Sequence, residues 1–496
     1  MKGDGIILAS ELFGSSWPKE DCVIRGITCD SRKIKPGYVF VCIRGYKDSG
    51  YRYVKEAEMR GAEAVIADSI ISCSIPVLLF KDTRAKMAEL AKKIYQNPDE
   101  SLIMIGVTGT NGKTTVTHLV RDILNHADYN AGIIGTNGCY YNRHLTDDAF
   151  STSTTPESCD LWSIMKNMKD LGAQSIIMEV SSHALELDRV CGLKYRIGAF
   201  TNLTQDHLDF HKNMENYFQA KRKLFCQSEL CVINTDDEYG KRLYEEFGSK
   251  SISYGMKDAD ITASDIAYTS HGVDFKISYG NKTTDAYINI PGKFSVYNAL
   301  CAFGIGRQLK IKESLILEAL RECEGVTGRV EKIKTDTDYS VIIDYAHTPD
   351  GLVNILKTVR EFTKGRVITL FGCGGNRDEK KRPLMGKISA ELSDVTVLTS
   401  DNPRMEDPVK IIKDIEKGIS GISDSYVIIP DRYEAIKYAL NIAVKGDTVL
   451  LAGKGHEDYI IKGTKKIHFD EREAVKQILK TAKKKTGNDE RNVRRQ

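Results

Sequence analysis

Short apolar runs bounded by polar turns recur along the whole chain. In the first hundred residues a helical pattern covers 83–95, and a polar stretch that ends in Pro98 follows it, as is typical of a linker. Strand-like runs precede the helix at 38–43, 62–68 and 76–80. This pattern predicts a small α/β domain over residues 1–98.

From residue 99 onward, apolar runs alternate with helical stretches, which is typical of a doubly wound parallel sheet. A central domain is predicted over 99–332, with strands at 102–107, 175–180, 197–203 and 231–235. Residues 251–290 alternate with a period of two and predict antiparallel strands appended to that domain. A C-terminal, Rossmann-like domain is predicted over 333–496, with strands at 340–346, 366–372, 395–400 and 447–453. The predicted fold class is therefore α/β with three domains.

Composition narrows the class of protein but does not give a function. The 496 residues are 41% hydrophobic, which is enough for three packed domains. The chain has 71 Lys and Arg and 68 Asp and Glu, and a net charge of +3 argues against a nucleic-acid partner. The basic stretch 483–496 is interpreted as a solvated end. No apolar run approaches the ~20 residues of a membrane span, and the N-terminus lacks a secretory signal. The 12 cysteines form no CxxC pair. A cytoplasmic protein with reduced thiols is therefore expected.

The strongest local signal is GVTGTNGKTT, which follows a predicted strand and opens a helix. Such a loop turns backbone N–H groups toward phosphate oxygens, a lysine neutralises the β- and γ-phosphates, and the next hydroxyl binds Mg²⁺. The generic pattern has Gly five residues before Gly112, where this chain has Val107. The predicted phosphate-binding residues are Gly109, Thr110, Asn111, Gly112, Lys113, Thr114 and Thr115.

Three further residues of the central segment carry candidate chemistry. Glu179 ends a strand, where a carboxylate suits Mg²⁺. His207 lies between two acids in TQDHLDF, which would orient its ring for metal binding. Lys221, in YFQAKRKLF, is interpreted from the residues alone as an ordinary helix-surface lysine.

In the third segment each apolar strand runs into a polar turn, namely HTPDG, CGGNRD, DNPR and GKGHE. Ligands of open α/β sheets bind beyond the carboxyl ends of the strands. The four turns therefore predict one shared binding crevice.

Taken together, these motifs resemble the Mur ligase family, the ATP-dependent amide-forming enzymes of peptidoglycan synthesis. The matching motifs occur in family order over residues 28–473, and they are TGTNGKTT, EVSSHAL, TNLTQDHLDFH, AKRKLF, GKFSVYNALCA, GVTGR, DYAHTPDG and the three C-terminal turns. The N-terminal TCDSRKIKPGYVFVCIRGYKDSG resembles the UDP-binding domain of the members that extend UDP-N-acetylmuramoyl-L-alanyl-D-glutamate.

The resemblance implies ATP, two Mg²⁺ ions and an acyl-phosphate intermediate on the D-glutamyl γ-carboxylate. Lys113 would act on the phosphates, Thr114 and Glu179 would bind one Mg²⁺, and His207 with Lys221 would bind the second. A protonated lysine cannot ligate a metal, and in the family this lysine is carbamylated by CO₂. Further implied ATP contacts are Asn298, Arg329, Asp344 and His347.

The resemblance also implies the substrate contacts. The residues implied to bind the UDP-muramoyl dipeptide are Ser31, Thr154, Thr155, Ser181, Arg189 and Lys221. DNPR resembles the signature of members that add meso-diaminopimelate, and the residues implied to bind that amino acid are Arg377, Asp401, Asn402, Pro403, Arg404, Gly453 and Glu457. Arg is suited to the extra carboxylate that L-lysine lacks. Leu187 and Thr327 depart from the family pattern, where Gln and Pro are usual.

The motifs leave other functions open. A relative that adds L-lysine shares most of the motifs, and folylpolyglutamate synthetases share the ATP core but are not expected to carry the UDP-type segment or DNPR. A P-loop switch module needs an NKxD motif, and the chain has only Asn281-Lys282-Thr283-Thr284. The expected partners are thus small molecules, with no nucleic acid and no membrane, and the expected state is a cytoplasmic monomer.

Overall fold

The computed structural model describes residues 7–45, 49–142, 144–146, 154–269 and 271–481. The basic stretch 483–496 lies outside these residues. The chain forms two compact units. Unit 1 is drawn from Met1–Leu203, His211–Tyr254 and Cys301–Ile316, and unit 2 from Thr204–Phe210, Gly255–Leu300 and Leu317–Gln496. The boundaries of the three predicted domains stay a prediction.

The start of unit 1 is a small α/β layer, as the apolar runs predicted. An antiparallel pair, β1 (Ile7–Leu8) with β2 (Val23–Ile24), precedes a four-stranded parallel sheet. The sheet consists of β3 (Gly26–Thr28), β4 (Tyr38–Val41), β5 (Ala62–Ala67) and β6 (Val77–Leu79) in that order. The helices are α1 (Ala9–Phe13), α2 (Val54–Met59) and α3 (Thr83–Ile94). The Asp82 carboxylate caps α3 by accepting from the backbone N–H groups of Arg84 and Ala85.

A larger sheet forms the rest of unit 1. Its strands are β7 (Ile103–Thr108), β8 (Ala131–Gly135), β9 (Gly138–Tyr141), β10 (His144–Leu145), β11 (Ser175–Glu179), β12 (Tyr195–Phe200), β13 (Ser228–Asn234) and β14 (Ser251–Gly255). Their order is β10-β9-β8-β11-β7-β12-β13-β14. The pairs from β8 to β14 are parallel, whereas β9 pairs antiparallel with both β8 and β10. The helices are α4 (Lys113–His126), α5 (Ser158–Asp170), α6 (Ser182–Glu186), α7 (Leu208–His211), α8 (Met214–Cys226) and α9 (Glu238–Phe247). The predicted parallel sheet is confirmed.

One boundary of the sequence prediction is wrong. The antiparallel region was expected from residue 251, but β14 pairs in parallel with β13. The alternation Ser251-Ile252-Ser253-Tyr254 is the same for either kind of pairing. The direction is decided by α9, because a helical crossover returns the chain parallel to the strand it left.

Unit 2 contains the antiparallel strands and a second parallel sheet. The antiparallel strands are β15 (Ile261–Tyr268), β16 (Val273–Tyr279) and β17 (Lys282–Ile288). The second sheet has the order β18-β19-β23-β20-β21-β22 and comprises β18 (Glu331–Ile333), β19 (Ser340–Asp344), β20 (Val367–Phe371), β21 (Val395–Leu398), β22 (Tyr426–Ile428) and β23 (Thr448–Ala452). Only β18 runs antiparallel in this sheet, and β24 (Tyr459–Lys462) forms a hairpin with β25 (Lys465–His468).

Three of the described helices have residues in both units, namely α7, α10 (Lys293–Gln308) and α11 (Glu313–Glu322). The helices of the second sheet are α12 (Pro349–Phe362), α13 (Lys381–Leu392), α14 (Pro408–Glu416) and α15 (Arg432–Ile442), with a last helix over 471–481. Because β19, β23, β20 and β21 are parallel neighbours, the four predicted turns all leave the same edge of the sheet. Among the described residues, no helix combines the length and apolar character that a bilayer crossing requires.

Candidate active site

The predicted phosphate loop lies between β7 and α4. Gly109 has φ of 150° and Gly112 has φ of 88°, which L side chains rarely adopt. A Cβ on Gly109 would lie 1.9 Å from the Thr201 hydroxyl, so the loop requires glycine there. Thr201 and Asn202 hold the loop, since the Thr201 hydroxyl donates to the Asn111 carbonyl (2.6 Å) and the Asn202 side-chain oxygen accepts from the Asn111 N–H (2.9 Å).

Two lysine ammonium groups converge on this loop. Lys113 Nζ donates to the carbonyls of Gly109 (2.9 Å) and Thr110 (3.0 Å), and Lys221 Nζ donates to the Gly109 carbonyl (2.8 Å). The side chain of Lys221 lies over the Tyr217 ring, with Nζ 4.7 Å from the ring centroid. The loop therefore lies beside a concentrated positive charge, which suits a polyphosphate.

The interpretation of Lys221 as a surface lysine is wrong. Lys221 is 1% exposed, whereas its neighbours Arg222 and Lys223 form ion pairs at the surface. The signal was present in the sequence, because Lys221 shares a helical face with the buried Tyr217 and Leu224, spaced by four and three residues. The family resemblance, not the local charge pattern, singled out this residue.

Glu179 ends β11, the strand beside β7, and is 1% exposed. Its two carboxylate oxygens accept from the backbone N–H (2.9 Å) and the hydroxyl (3.0 Å) of Thr136. A Cβ on Gly135 would approach a Glu179 oxygen to 2.4 Å, so a glycine precedes Thr136 for steric reasons. Each oxygen accepts one hydrogen bond from Thr136 and keeps a further lone pair for a cation.

Four of the six residues implied to bind the dipeptide lie around the end of β11. The Thr155 hydroxyl donates to the Glu179 carbonyl (2.8 Å) and accepts from the Ser181 N–H (3.0 Å). Arg189 Nη1 donates to the Thr155 carbonyl (3.0 Å), and the Thr154 hydroxyl oxygen lies 3.1 Å from that of Thr136. Four predicted residues are thus brought together.

Glu157 orients this cluster and was missed by the sequence analysis. Its carboxylate pairs with Arg189 (2.9 Å) and with Arg84 of α3 (3.0 Å). Leu187, a departure from the family pattern, is the C-terminal cap of α6. Ser31, implied to contact uridine, is 6% exposed and donates to the Glu56 carboxylate (2.7 Å).

His207 belongs to unit 2, whereas Lys221 belongs to unit 1. The His207 side chain is 45% exposed and its Nε2 lies 3.4 Å from Asp206 Oδ2. The side chain of Asp209, the second acid of the predicted pair, lies outside the described part of the structure. No group of three or more His, Cys, Asp or Glu suited to a metal occurs within the described ranges.

Of the residues in unit 2 implied to bind ATP, Arg329 precedes β18 and Asp344 is the last residue of β19. The Arg329 guanidinium lies over the Tyr345 ring, 4.8 Å from its centroid. The Asp344 carboxylate accepts from the N–H groups of Val330 (2.8 Å) and Ala346 (2.8 Å). Burial raises the pKa of Asp344, and the positive charge of Arg329 opposes that shift.

The remaining nucleotide candidates are His347, in the turn after β19, and Asn298, on α10. His347 Nδ1 lies 2.8 Å from the Tyr345 carbonyl, and Asn298 lies half-buried on α10. A cavity of about 740 Å³ is lined by residues of unit 2 that include Thr327 and Arg329. Thr327 is exposed, so the departure from Pro breaks no packing.

The turns after β21 and β23 form a charged pocket. Asn402 Nδ2 donates to Glu457 Oε2 (2.8 Å), and Lys454 Nζ lies 3.1 Å from the same oxygen and 3.5 Å from Asp401 Oδ1. Gly453, with φ of 114°, brings the two turns into contact, since a Cβ there would lie 2.9 Å from Asp401 Oδ2. Lys454 was not predicted, although it lies within the GKGHE motif.

Arg404 completes this pocket through its backbone and its side chain. Its N–H donates to the Ile461 carbonyl (3.0 Å) and its carbonyl accepts from Gly463 (2.8 Å), which fixes a left-handed φ of 53°. Nη1 donates to the Gly375 carbonyl (2.9 Å). Pro403 is buried, whereas Arg377 is exposed. The turns after β21 and β23 thus bring two carboxylates and a guanidinium to the same edge of the sheet.

Comparisons with known proteins point to one family. Sequence models of the family match residues 23–95 (Mur ligase family, catalytic domain), 107–306 (Mur ligase middle domain) and 328–455 (Mur ligase, glutamate ligase domain). The chain is similar to the UDP-N-acetylmuramoyl-L-alanyl-D-glutamate–2,6-diaminopimelate ligases of Caldanaerobacter subterraneus (46% identity; 93% of this chain and 96% of the relative) and Clostridium botulinum (44%; 92% and 95%).

A solved structure of a UDP-N-acetylmuramoyl-L-alanyl-D-glutamate–2,6-diaminopimelate ligase is also similar, with a TM-score of 0.68 and 30% sequence identity. The likeness covers 96% of this chain and 99% of that one. Family models match more than half of the chain, and relatives above 40% identity match nearly all of it. The chain belongs to the Mur ligase family.

Proposed function

We propose that the protein is an ATP-dependent ligase that joins meso-diaminopimelate to the D-glutamyl γ-carboxylate of UDP-N-acetylmuramoyl-L-alanyl-D-glutamate in peptidoglycan synthesis. The observation that carries the choice of amino acid is the pocket of Asp401, Glu457 and Arg404. It offers carboxylates to an ammonium and a guanidinium to a carboxylate. The far end of meso-diaminopimelate carries both groups, whereas L-lysine carries only the ammonium.

The reaction needs an activated carboxylate, because a carboxylate is a poor electrophile. The γ-phosphoryl group of ATP passes to the γ-carboxylate, which gives an acyl phosphate and ADP. The amine of diaminopimelate then attacks the acyl carbon, and phosphate leaves with one of the original carboxylate oxygens. Lys113 would move from the loop carbonyls to the transferring phosphate and offset its developing charge.

The dipeptide would be held by the cluster at the end of β11. Arg189, fixed by Glu157, offers donors to a substrate carboxylate, and Ser181 offers its hydroxyl. Thr155 ties this cluster to the backbone of Glu179. A metal ligand and the site of the carboxylate that accepts the phosphoryl group therefore depend on one set of hydrogen bonds.

Mg²⁺ would be held in unit 1 by Thr114 and Glu179, whose oxygen donors suit a hard cation. When bound it would neutralise phosphate charge during transfer. His207 and Lys221 stay separate candidates for a second ion. Carbamylation would make Lys221 an anionic oxygen ligand, and incubation with ¹³C-bicarbonate should give a carbamate carbonyl signal that Lys221→Ala loses.

We also propose that the protein is a cytoplasmic monomer of three domains and that its partners are small molecules. To test it, the purified protein is incubated with ATP, Mg²⁺ and the UDP-muramoyl dipeptide, plus one of meso-diaminopimelate, L-lysine, L-ornithine or L-glutamate. Mass spectrometry should find the UDP-muramoyl tripeptide with diaminopimelate at the highest rate. Equal turnover of L-lysine would favour the alternative lysine-adding function, and no product with any amino acid would refute the proposal.

A further inference from the structure

Lys454 is a buried cation in unit 2 that the proposed chemistry does not use. It is 0% exposed, and its Nζ lies 3.1 Å from Glu457 Oε2, 3.5 Å from Asp401 Oδ1 and 3.5 Å from Asn402 Oδ1. Burial of an ammonium group costs free energy unless opposite charge and hydrogen bonds compensate it. Lys454 meets that condition only because two carboxylates face it.

The two carboxylates depend on Lys454 in turn. Asp401 is 6% exposed, and its Oδ1 has no hydrogen-bond partner among the described residues. The ammonium of Lys454 is the cation within ion-pair distance of that oxygen in the described structure. Glu457 Oε2 is shared by Lys454 and the Asn402 amide. Without Lys454, the buried carboxylate of Asp401 and the half-buried carboxylate of Glu457 would repel each other.

Charge counting links this cluster to the substrate. Asp401 and Glu457 contribute two negative charges and Lys454 one positive charge, so one negative charge is left for a substrate ammonium. The Arg404 guanidinium offers a positive charge to a substrate carboxylate. The distal end of diaminopimelate, one ammonium and one carboxylate, brings the pocket to balance, whereas the single ammonium of L-lysine leaves the guanidinium unmatched.

We infer that Lys454 is a positioning residue that sets amino-acid specificity, by holding Asp401 and Glu457 as a carboxylate pair that accepts one further cation. This inference rests on the proposed function and deepens it. Lys454 itself touches the two carboxylates and the Asn402 amide oxygen, and acts on the substrate through them.

The test compares steady-state kinetics of full-length variants with ATP and the UDP-muramoyl dipeptide saturating. Lys454→Met should raise the KM for diaminopimelate at least about 10-fold, with kcat and the KM for ATP changed less than about twofold. Lys454→Arg keeps the charge and should stay within about threefold of the wild-type KM. The matched control is Lys445→Met, an exposed lysine in the loop before β23, which should leave all constants unchanged.

The decisive variant is the double substitution Asp401→Asn with Lys454→Met, which restores the balance of one net negative charge. Its KM for diaminopimelate should fall clearly below that of Lys454→Met alone. A role in packing alone predicts no such recovery. An unchanged KM in Lys454→Met, an equal rise in Lys454→Arg, or no recovery in the double variant would overturn the inference. Absence of tripeptide product with the wild-type protein would instead mean that the proposed function fails.

Discussion

Replacement of Arg404 is the sharpest perturbation of the amino-acid pocket. The backbone at Arg404 is held at φ of 53° by two hydrogen bonds, one from its N–H to the Ile461 carbonyl and one from the Gly463 N–H to its carbonyl, and Nη1 donates to the Gly375 carbonyl. Arg404→Ala keeps a Cβ at this strained φ, so it removes the guanidinium without the backbone effect of a glycine. A buried charge left without its partner costs about 2–5 kcal/mol.

At about 1.4 kcal/mol per factor of ten, kcat/KM for diaminopimelate should fall between about 30-fold and a few thousand-fold. Most of the loss should fall on KM, because the guanidinium holds a group remote from the reacting amine. Arg404→Lys keeps a charge but not the planar fork, and should lie at the lower end of that range.

The assay is ADP release with the UDP-muramoyl dipeptide and varied diaminopimelate, with Arg196→Ala as a control at an exposed ion pair of unit 1. Discrimination against L-lysine should shrink in Arg404→Ala, since the substitution removes the guanidinium that binds the carboxylate which lysine lacks. A kcat/KM within about threefold of the wild type would refute the reasoning. A larger loss in Arg377→Ala would assign the carboxylate contact to Arg377 instead.

Three further predictions concern other parts of the molecule. Thr155→Val removes the hydroxyl that donates to the Glu179 carbonyl, and should raise the KM for the dipeptide about 5- to 30-fold in initial-rate measurements, whereas an unchanged KM would remove Thr155 from the site. The side chains of Arg432 and Glu471 are both 0% exposed and are paired at 2.8 Å. Arg432→Met should therefore lower the free energy of unfolding by about 3–5 kcal/mol in urea titrations, because Glu471 is left as an unpaired buried charge. The double variant Arg432→Met with Glu471→Leu should recover much of that loss. Burial lowers the pKa of His456 from 6.5 to about 4. Between these two values the unfolded chain binds a proton at His456 that the folded protein does not bind. The contribution of His456 to stability should therefore fall as the pH drops from about 6.5 to about 4, and stay level above that range. His456→Asn should flatten that slope, and an equal slope in this variant would contradict the assignment.

Most of the fold could be predicted from the sequence because the apolar runs of parallel strands are continuous and their turns contain Gly, Pro and Asn. The strands at 340–346 and 447–453 were predicted within two residues of β19 and β23. The direction of β14 could not be predicted, because alternation gives the exposed face of a strand and not its neighbour.

The candidate site shows the same division. The residues of GTNGKTT and DNPR carry their own signal, since glycine geometry and guanidinium chemistry limit what can replace them. Thr136, Glu157 and Lys454 were missed because their roles depend on contacts with residues far away in the sequence, for Lys454 the contact with Asp401. Burial of Lys454 between two carboxylates is a property of the folded edge of the sheet, and no local pattern in GKGHE records it.

The proposed acyl-phosphate route is tested most directly by oxygen transfer. The UDP-muramoyl dipeptide is labelled with ¹⁸O in its γ-carboxylate and incubated with ATP, Mg²⁺ and meso-diaminopimelate, and the released phosphate is analysed by mass spectrometry. One ¹⁸O should appear in phosphate for each tripeptide formed, because the carboxylate oxygen that accepts the phosphoryl group leaves with it. Unlabelled phosphate accompanying tripeptide formation would contradict the account.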